Sequence, residues 1–173
     1  MLGPAKAKEL YLKAISQKAT NLSDQVYNRL GHSFLNLGED KKAEWFFDEY
    51  VTKGPGHRRA FDVGQALFFD NHLMHTELTL KYFDFSLMRG ASRKDEIAMN
   101  QIRMEIFDQH PEFRNHKKIS FSYNKLMELN SLNVKSLLHY LHSCLRNKQY
   151  KEVVRASRHG IETIEFKQEI TSF

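Results

Sequence analysis

Nine histidines and a single cysteine, Cys144, are the side chains of this 173-residue sequence best suited to hold a metal or attack a substrate. His72 and His75, and His139 and His142, are spaced i,i+3, which sets each pair on one face of a helix. A protein zinc site requires three or four convergent ligands. Neither Cys-x-x-Cys nor His-Glu-x-x-His occurs, so these histidines read as solvated or capping residues and no metal is expected. The carboxylate pairs Asp48-Glu49 and Asp95-Glu96 are adjacent residues that diverge around a helix, so their spacing makes no general acid–base pair. Gly-x-Ser-x-Gly, phosphate-binding glycine loops and dinucleotide fingerprints are also missing. Cys144 reads as a small buried hydrophobe, and as the only cysteine it forms no internal disulfide. The expectation is a protein without catalysis and without a cofactor.

The composition sets the frame for what else the chain can do. Hydrophobic residues make up 41% and charged residues 27%, the balance of a globular chain rather than a disordered one. No apolar run reaches the length of a membrane span, and no N-terminal segment resembles a signal peptide. With a lone cysteine, these features point to a cytoplasmic protein. The net charge of +5 is spread out, with small clusters at His57-Arg58-Arg59, Arg93-Lys94 and Lys117-Lys118. Interleaved acidic residues make most of that charge a solvated surface, with a bias toward acidic partners.

The elements that position these residues are helices. Prolines number three and glycines eight, and apolar residues recur at helical spacing between a few breaks. The breaks are at 21–24, Gly54-Pro55-Gly56, Asp70-Asn71, Gly90-Ala91-Ser92, Pro111 and 130–133. Helices are predicted over 5–19, 24–37, 40–53, 58–69, 72–88, 93–109, 112–129, 134–146 and 149–166. Ser92, followed by Asp95 and Glu96, is expected to cap the sixth. Short links between short helices predict an all-α fold of antiparallel hairpins.

One glycine runs against this pattern. Gly31 stands inside a predicted helix, where glycine costs about 1 kcal/mol relative to alanine. Gly64 lies 33 residues later (64 − 31) and Ala98 a further 34 (98 − 64). The segment reads Tyr27, Leu30, Gly31, Phe34, then Ala43, Phe47, then Pro55. It resembles a tetratricopeptide repeat, whose period is about 34 residues and whose order is Trp, Leu-Gly, Tyr, Ala, Phe, Pro. The strong match covers 24–57. A weaker copy gives Ala60, Val63, Gly64, Leu67, Thr76, Leu80 and Phe83, and another gives Leu137, Tyr140, Leu141, Cys144, Tyr150, Val153 and Ser157. The resemblance implies one domain, 1–173, divided into a partial repeat at 1–22, repeats at 24–56 and 57–90, a degenerate helix pair at 91–130 and a repeat at 133–166. It implies stacking of the hairpins into a right-handed superhelix, with Gly31 at a helix crossing and Ala43 facing it.

The resemblance also implies a function: first helices line a groove that holds a peptide, as in a scaffold or adaptor. The residues mapped to that face are Gln25, Asn28, His32, Leu35 and Asn36. From the second copy come Arg58, Phe61, Asp62, Gln65, Phe68 and Phe69, and from the last Lys135, Leu138, His139, His142 and Arg146. Aromatic anchors, backbone-binding amides and cations for carboxylates make a protein or peptide, acidic in character, the expected partner. Asn28 and His32 stand where some such proteins carry the lysine and asparagine that grip a terminal carboxylate, which argues against that mode. The alternative is a helical-repeat module that binds RNA or DNA through its dispersed basic residues. The 5–19 helix matches only the second half of a repeat. Its Leu10, Tyr11, Leu12 and Ile15 spread over more than one face, which predicts self-association or further N-terminal sequence.

Overall fold

A computed structural model describes Lys6, Glu9, Leu12, Lys13, residues 23–71 and residues 75–171. Eight helices account for most of these residues, and no strand occurs among them. They are α1 (Asp24–Leu35), α2 (Asp40–Thr52), α3 (Gly56–Asn71), α4 (Thr76–Met88), α5 (Arg93–Gln109), α6 (His116–Glu128), α7 (Val134–Arg146) and α8 (Tyr150–Thr171). The expected helix at 5–19 lies outside the described residues except for the four named above. The chain divides into two compact units, one through Ala91 and one from Ser92, at the Gly90-Ala91-Ser92 break.

Side-chain oxygens start three of the helices. Ser92 accepts from the Asp95 N–H at 3.2 Å, as the sequence predicts, and Asn115 and Asn133 do the same for α6 and α7. Left-handed residues stop four of them. Gly38, Gly90, Asn130 and Lys148 follow α1, α4, α6 and α7 with φ of 70°, 79°, 47° and 56°. After each, the next N–H reaches back to a carbonyl in the helix's last turn: Glu39 to Phe34, Ala91 to Ser86, Ser131 to Leu126, Gln149 to Cys144. These four helices thus end in short, hydrogen-bonded corners. Several boundaries differ from expectation: α1 stops at Leu35 rather than 37, α3 covers Gly56–Asn71 rather than 58–69, and α4 starts at Thr76 rather than 72. α6 begins at His116 rather than 112, because residues 111–113 form a turn closed by Phe113 N–H to His110 C=O. α8 runs past the expected 166 to Thr171.

In the first unit α1 pairs with α2 and α3 with α4, and α2 packs on α3. Both hairpins close on a glycine. A Cβ on Gly31 would lie 2.5 Å from the Phe47 ring, and one on Gly64 would lie 2.7 Å from the Phe83 ring. Phe47 and Phe83 are fully buried, as are Ala43 and Thr79, each one turn earlier. Gly31 therefore marks the crossing, and the atoms against it belong to Phe47, one turn beyond the expected Ala43. The core continues through Phe34 stacked on Phe46 at 5.2 Å and Phe47 edge-on to Tyr82 at 6.0 Å. Tyr82 donates to Asp48 at 3.0 Å while Lys81 reaches Asp48 and Glu44, so α4 is tied to α2 by polar contacts as well.

The second unit pairs α5 with α6 and α7 with α8, with α7 also packed against α5 and α6. Met99, Met104, Ile106, Ile119 and Leu126 are fully buried there. Tyr123 and Tyr140 stack at 3.9 Å, and Leu137 fills the space beside Gly160. Cys144 is buried, as expected, and burial pushes its thiol pKa up. Ala98, the third small residue of the 33- to 34-residue series, is half-buried, and its neighbour Met99 is the one fully buried.

Candidate functional site

The first-helix residues of the first unit lie on α1 and α3. Gln25 and Asn36 are exposed, and Asn28, His32 and Gln65 are half-buried. The Asn28 carboxamide oxygen is enclosed without a hydrogen-bond donor. His32 Nδ1 sits 3.7 Å from the exposed Asp70 carboxylate, and its ring meets Phe47 edge-on at 5.0 Å. Burial lowers the His32 pKa, only partly opposed by Asp70. Arg58 pairs with Asp62 at 3.1 Å and lies over the Phe61 ring.

The aromatic anchors require a correction. Phe61 and Phe68 are buried rather than presented to a ligand, and so is Leu35. Phe61 stacks on Phe83, which closes the hairpin beneath it, and Phe68, seven residues on, falls on the same buried arc. Phe69, turned one position around the helix, remains 62% exposed with its ring edge-on to Phe68 at 5.3 Å. Of the three expected anchors on α3, Phe69 alone is on the surface.

In the second unit the expected cations on α7 converge on carboxylates of α5. Lys135 Nζ is 2.6 Å from Glu105. His139 Nδ1 is 2.8 Å from Asp108, Arg146 donates to the other oxygen of that carboxylate, and His142 lies 3.6 Å away. Asp108 is buried, and so is His139, which corrects its place as a groove residue. Desolvation alone would raise the Asp108 pKa, but the hydrogen bonds from Arg146 and His139 outweigh it and hold the carboxyl below its usual range. An ionised carboxylate only accepts, so His139 meets it through a protonated Nδ1. Its Nε2 is enclosed and unpartnered, out of reach of a substrate in this arrangement.

Sequence reasoning missed Glu105 and Asp108, which precede their partners by 30 to 38 residues. It also missed an open cleft of about 680 Å³ lined by His116, Tyr140, Lys148, Lys151, Glu152 and Arg155 among others. Within it Tyr140 donates to Glu152 at 2.9 Å, and Arg155 grips the same carboxylate with two nitrogens. Among the described residues no three His, Cys, Asp or Glu side chains converge as a metal site, and His72 lies outside those residues. No helix among them is long and apolar enough to cross a membrane. Compared with known proteins, the chain matches no family model, no curated protein and no solved structure.

Proposed function

We propose that this chain is a non-catalytic protein- or peptide-binding module, a cytoplasmic scaffold or adaptor of the tetratricopeptide-repeat type. The observation that carries the reading is the recurrence of one helix crossing. Gly31 against Phe47 returns as Gly64 against Phe83, 33 and 36 residues later (64 − 31 and 83 − 47). Such recurrence is the mark of a repeat array, and arrays of helix hairpins serve as extended binding surfaces. The same proposal includes stacking of the hairpins into a right-handed superhelix.

On this reading the ligand lies along α1 and α3. Phe69 supplies an apolar anchor, Gln25, Asn28, Asn36 and Gln65 supply amides for a peptide backbone, and Arg58 takes an acidic side chain. The Arg58–Asp62 pair is half-exposed on both sides. Exposed pairs are worth under about 1 kcal/mol, so a ligand carboxylate can replace Asp62 at little cost. The α7 cations contribute less, since Asp108 and Glu105 already occupy them.

The test is selection from a displayed library of short peptides on the full chain, followed by titration of the selected peptide. Phe69→Ala and Arg58→Glu are expected to weaken it while leaving the melting temperature unchanged. Undiminished affinity in both variants overturns the assignment of this face. Binding only to single-stranded RNA, with a steep salt dependence, would replace the peptide reading with the nucleic-acid one.

A further inference from the structure

The α7–α8 hairpin carries an apolar surface that no other described part of its unit covers. On α7, Val134, Leu138, Leu141 and Leu145 follow an i, i+4, i+7, i+11 pattern. Leu141 is half-buried, and the other three are 47–55% exposed. On α8, Tyr150, Val154 and Ile161 fall at i, i+4, i+11 and are 49–63% exposed. At 3.6 residues per turn the α7 set occupies an arc of roughly 60° and the α8 set one of roughly 40°.

The opposite side of each helix faces inward. Tyr140 stacks on Tyr123 of α6, His139 meets Asp108 of α5, and Leu137 packs against Gly160. Measured from the α7–α8 contact, both exposed arcs are rotated in the same sense along their own helices. Because the helices run antiparallel, equal rotation brings both arcs to one side of the hairpin. The result is a two-helix apolar face on the side of α7 opposite its contacts with α5 and α6, with Tyr150 at one end also lining the open cleft beside α6.

Its borders are basic. Lys148, Lys151 and Arg158 are exposed and have no ion-pair partner among the described residues, whereas the Glu152 carboxylate is held by Arg155 and Tyr140. Among the described side chains, Glu162 is the one acidic residue of the α8 border left open. A second copy docked by two-fold symmetry would bring these cations against themselves.

We propose that this face docks an amphipathic helix of another protein, with an apolar stripe on one side and carboxylates along its edges. The α7 and α8 stripes each span 11 residues (145 − 134 and 161 − 150), about 16 Å of helix, so the docked segment is about three turns long. This surface is separate from the α1 and α3 residues above and depends on no repeat assignment.

Fluorescence anisotropy on the full chain tests it with three labelled synthetic peptides. One has leucines at i, i+3, i+4 and i+7 flanked by glutamates, the second has lysines in place of those glutamates, and the third is a scramble of the first. The first is expected to bind saturably and better than both others. Leu138→Ser combined with Val154→Ser should weaken it by about tenfold or more, since two anchors are lost. Lys151→Glu with Arg158→Glu should weaken the glutamate peptide and strengthen the lysine peptide, and Phe69→Ala should change neither. All of these side chains are exposed, and an unchanged melting curve confirms that the variants fold. Equal binding of the scramble, indifference to both double variants, or a dimer that Leu138→Ser with Val154→Ser dissolves would each overturn the proposal.

Discussion

A methyl group on Gly31 tests the hairpin crossing most directly. The new Cβ would stand 2.5, 2.7 and 2.8 Å from Cε1, Cδ1 and Cζ of Phe47. Ordinary carbon–carbon contact is about 3.5–4.0 Å, so the ring must retreat by about 1 Å. It has little room to do so: Phe47 is fully buried, with the His32 ring at 5.0 Å and the Tyr82 ring at 6.0 Å. Overpacking of this kind costs about 1–3 kcal/mol. Alanine also stabilises a helix interior by about 1 kcal/mol relative to glycine. The two effects leave Gly31→Ala between neutral and about 2 kcal/mol destabilising, with Gly31→Leu worse because three more carbons enter the same volume. Urea denaturation followed by far-UV circular dichroism reads the difference. Phe47→Leu should relieve the clash, so the Gly31→Ala/Phe47→Leu cycle should show favourable coupling of at least about 0.5 kcal/mol. A Gly31→Ala protein stabilised by the full propensity gain, or a strictly additive cycle, would show that the helices do not meet there. Gly64→Ala should cost no less, because its Cβ also meets the Thr79 carbonyl at 3.2 Å, a backbone atom that cannot swing aside.

Gly38→Ala is expected to cost about 1–2 kcal/mol through its φ of 70° alone, since no atom lies within 4 Å, and urea midpoints should place it above Gly38→Asn in cost. Ser92→Ala removes the cap on Asp95 N–H and should cost about 1 kcal/mol in the same assay, with Ser92→Asp restoring it. Acid should destabilise the chain in two stages. The folded pKa values of His32 and Asp108 are both lowered, so the unfolded state binds protons first and stability falls as pH falls. The His32 contribution is complete above about 6.5 and declines below it, and that of Asp108 is complete above about 3.9 and declines below it. Urea midpoints across this range should show His32→Gln flattening the upper step and Asp108→Asn the lower, and an unchanged acid limb in Asp108→Asn would refute the buried ion cluster.

The helices were legible where a side chain or a glycine declares an end. α5 and α7 match their predicted spans because Ser92 and Asn133 announce the starts. Gly38 and Gly90 declare two of the stops. Lys148 performs the same left-handed turn, yet lysine carries no preference for it, so only the three-dimensional corner reveals it. At Pro111 the sequence signals a break but not its length, and the helix waits for the cap at Asn115. The fold class survives such errors because hairpin pairing depends on the apolar stripes rather than on the terminal residues.

The candidate site was less legible, for a reason visible in α3 and α7. Phe61, Phe68 and Phe69 are equivalent in a list of aromatic residues, but a single position is 100° of helix, enough to carry Phe69 from the core to the surface. Periodicity gives the spacing of a face without its limits. Charge is harder still. Lys135, His139, His142 and Arg146 read as an acceptor for acidic ligands because their neighbours along the chain are not acidic. Their carboxylates come from α5, brought alongside by the packing of one helix pair on the next. A cation on α7 has two candidate partners, a ligand or the neighbouring helix, and folding decides first. What remains for a partner is the surface that folding leaves uncompensated: the exposed Phe69 with its amides, and the apolar α7–α8 face with Lys151 and Arg158 at its border.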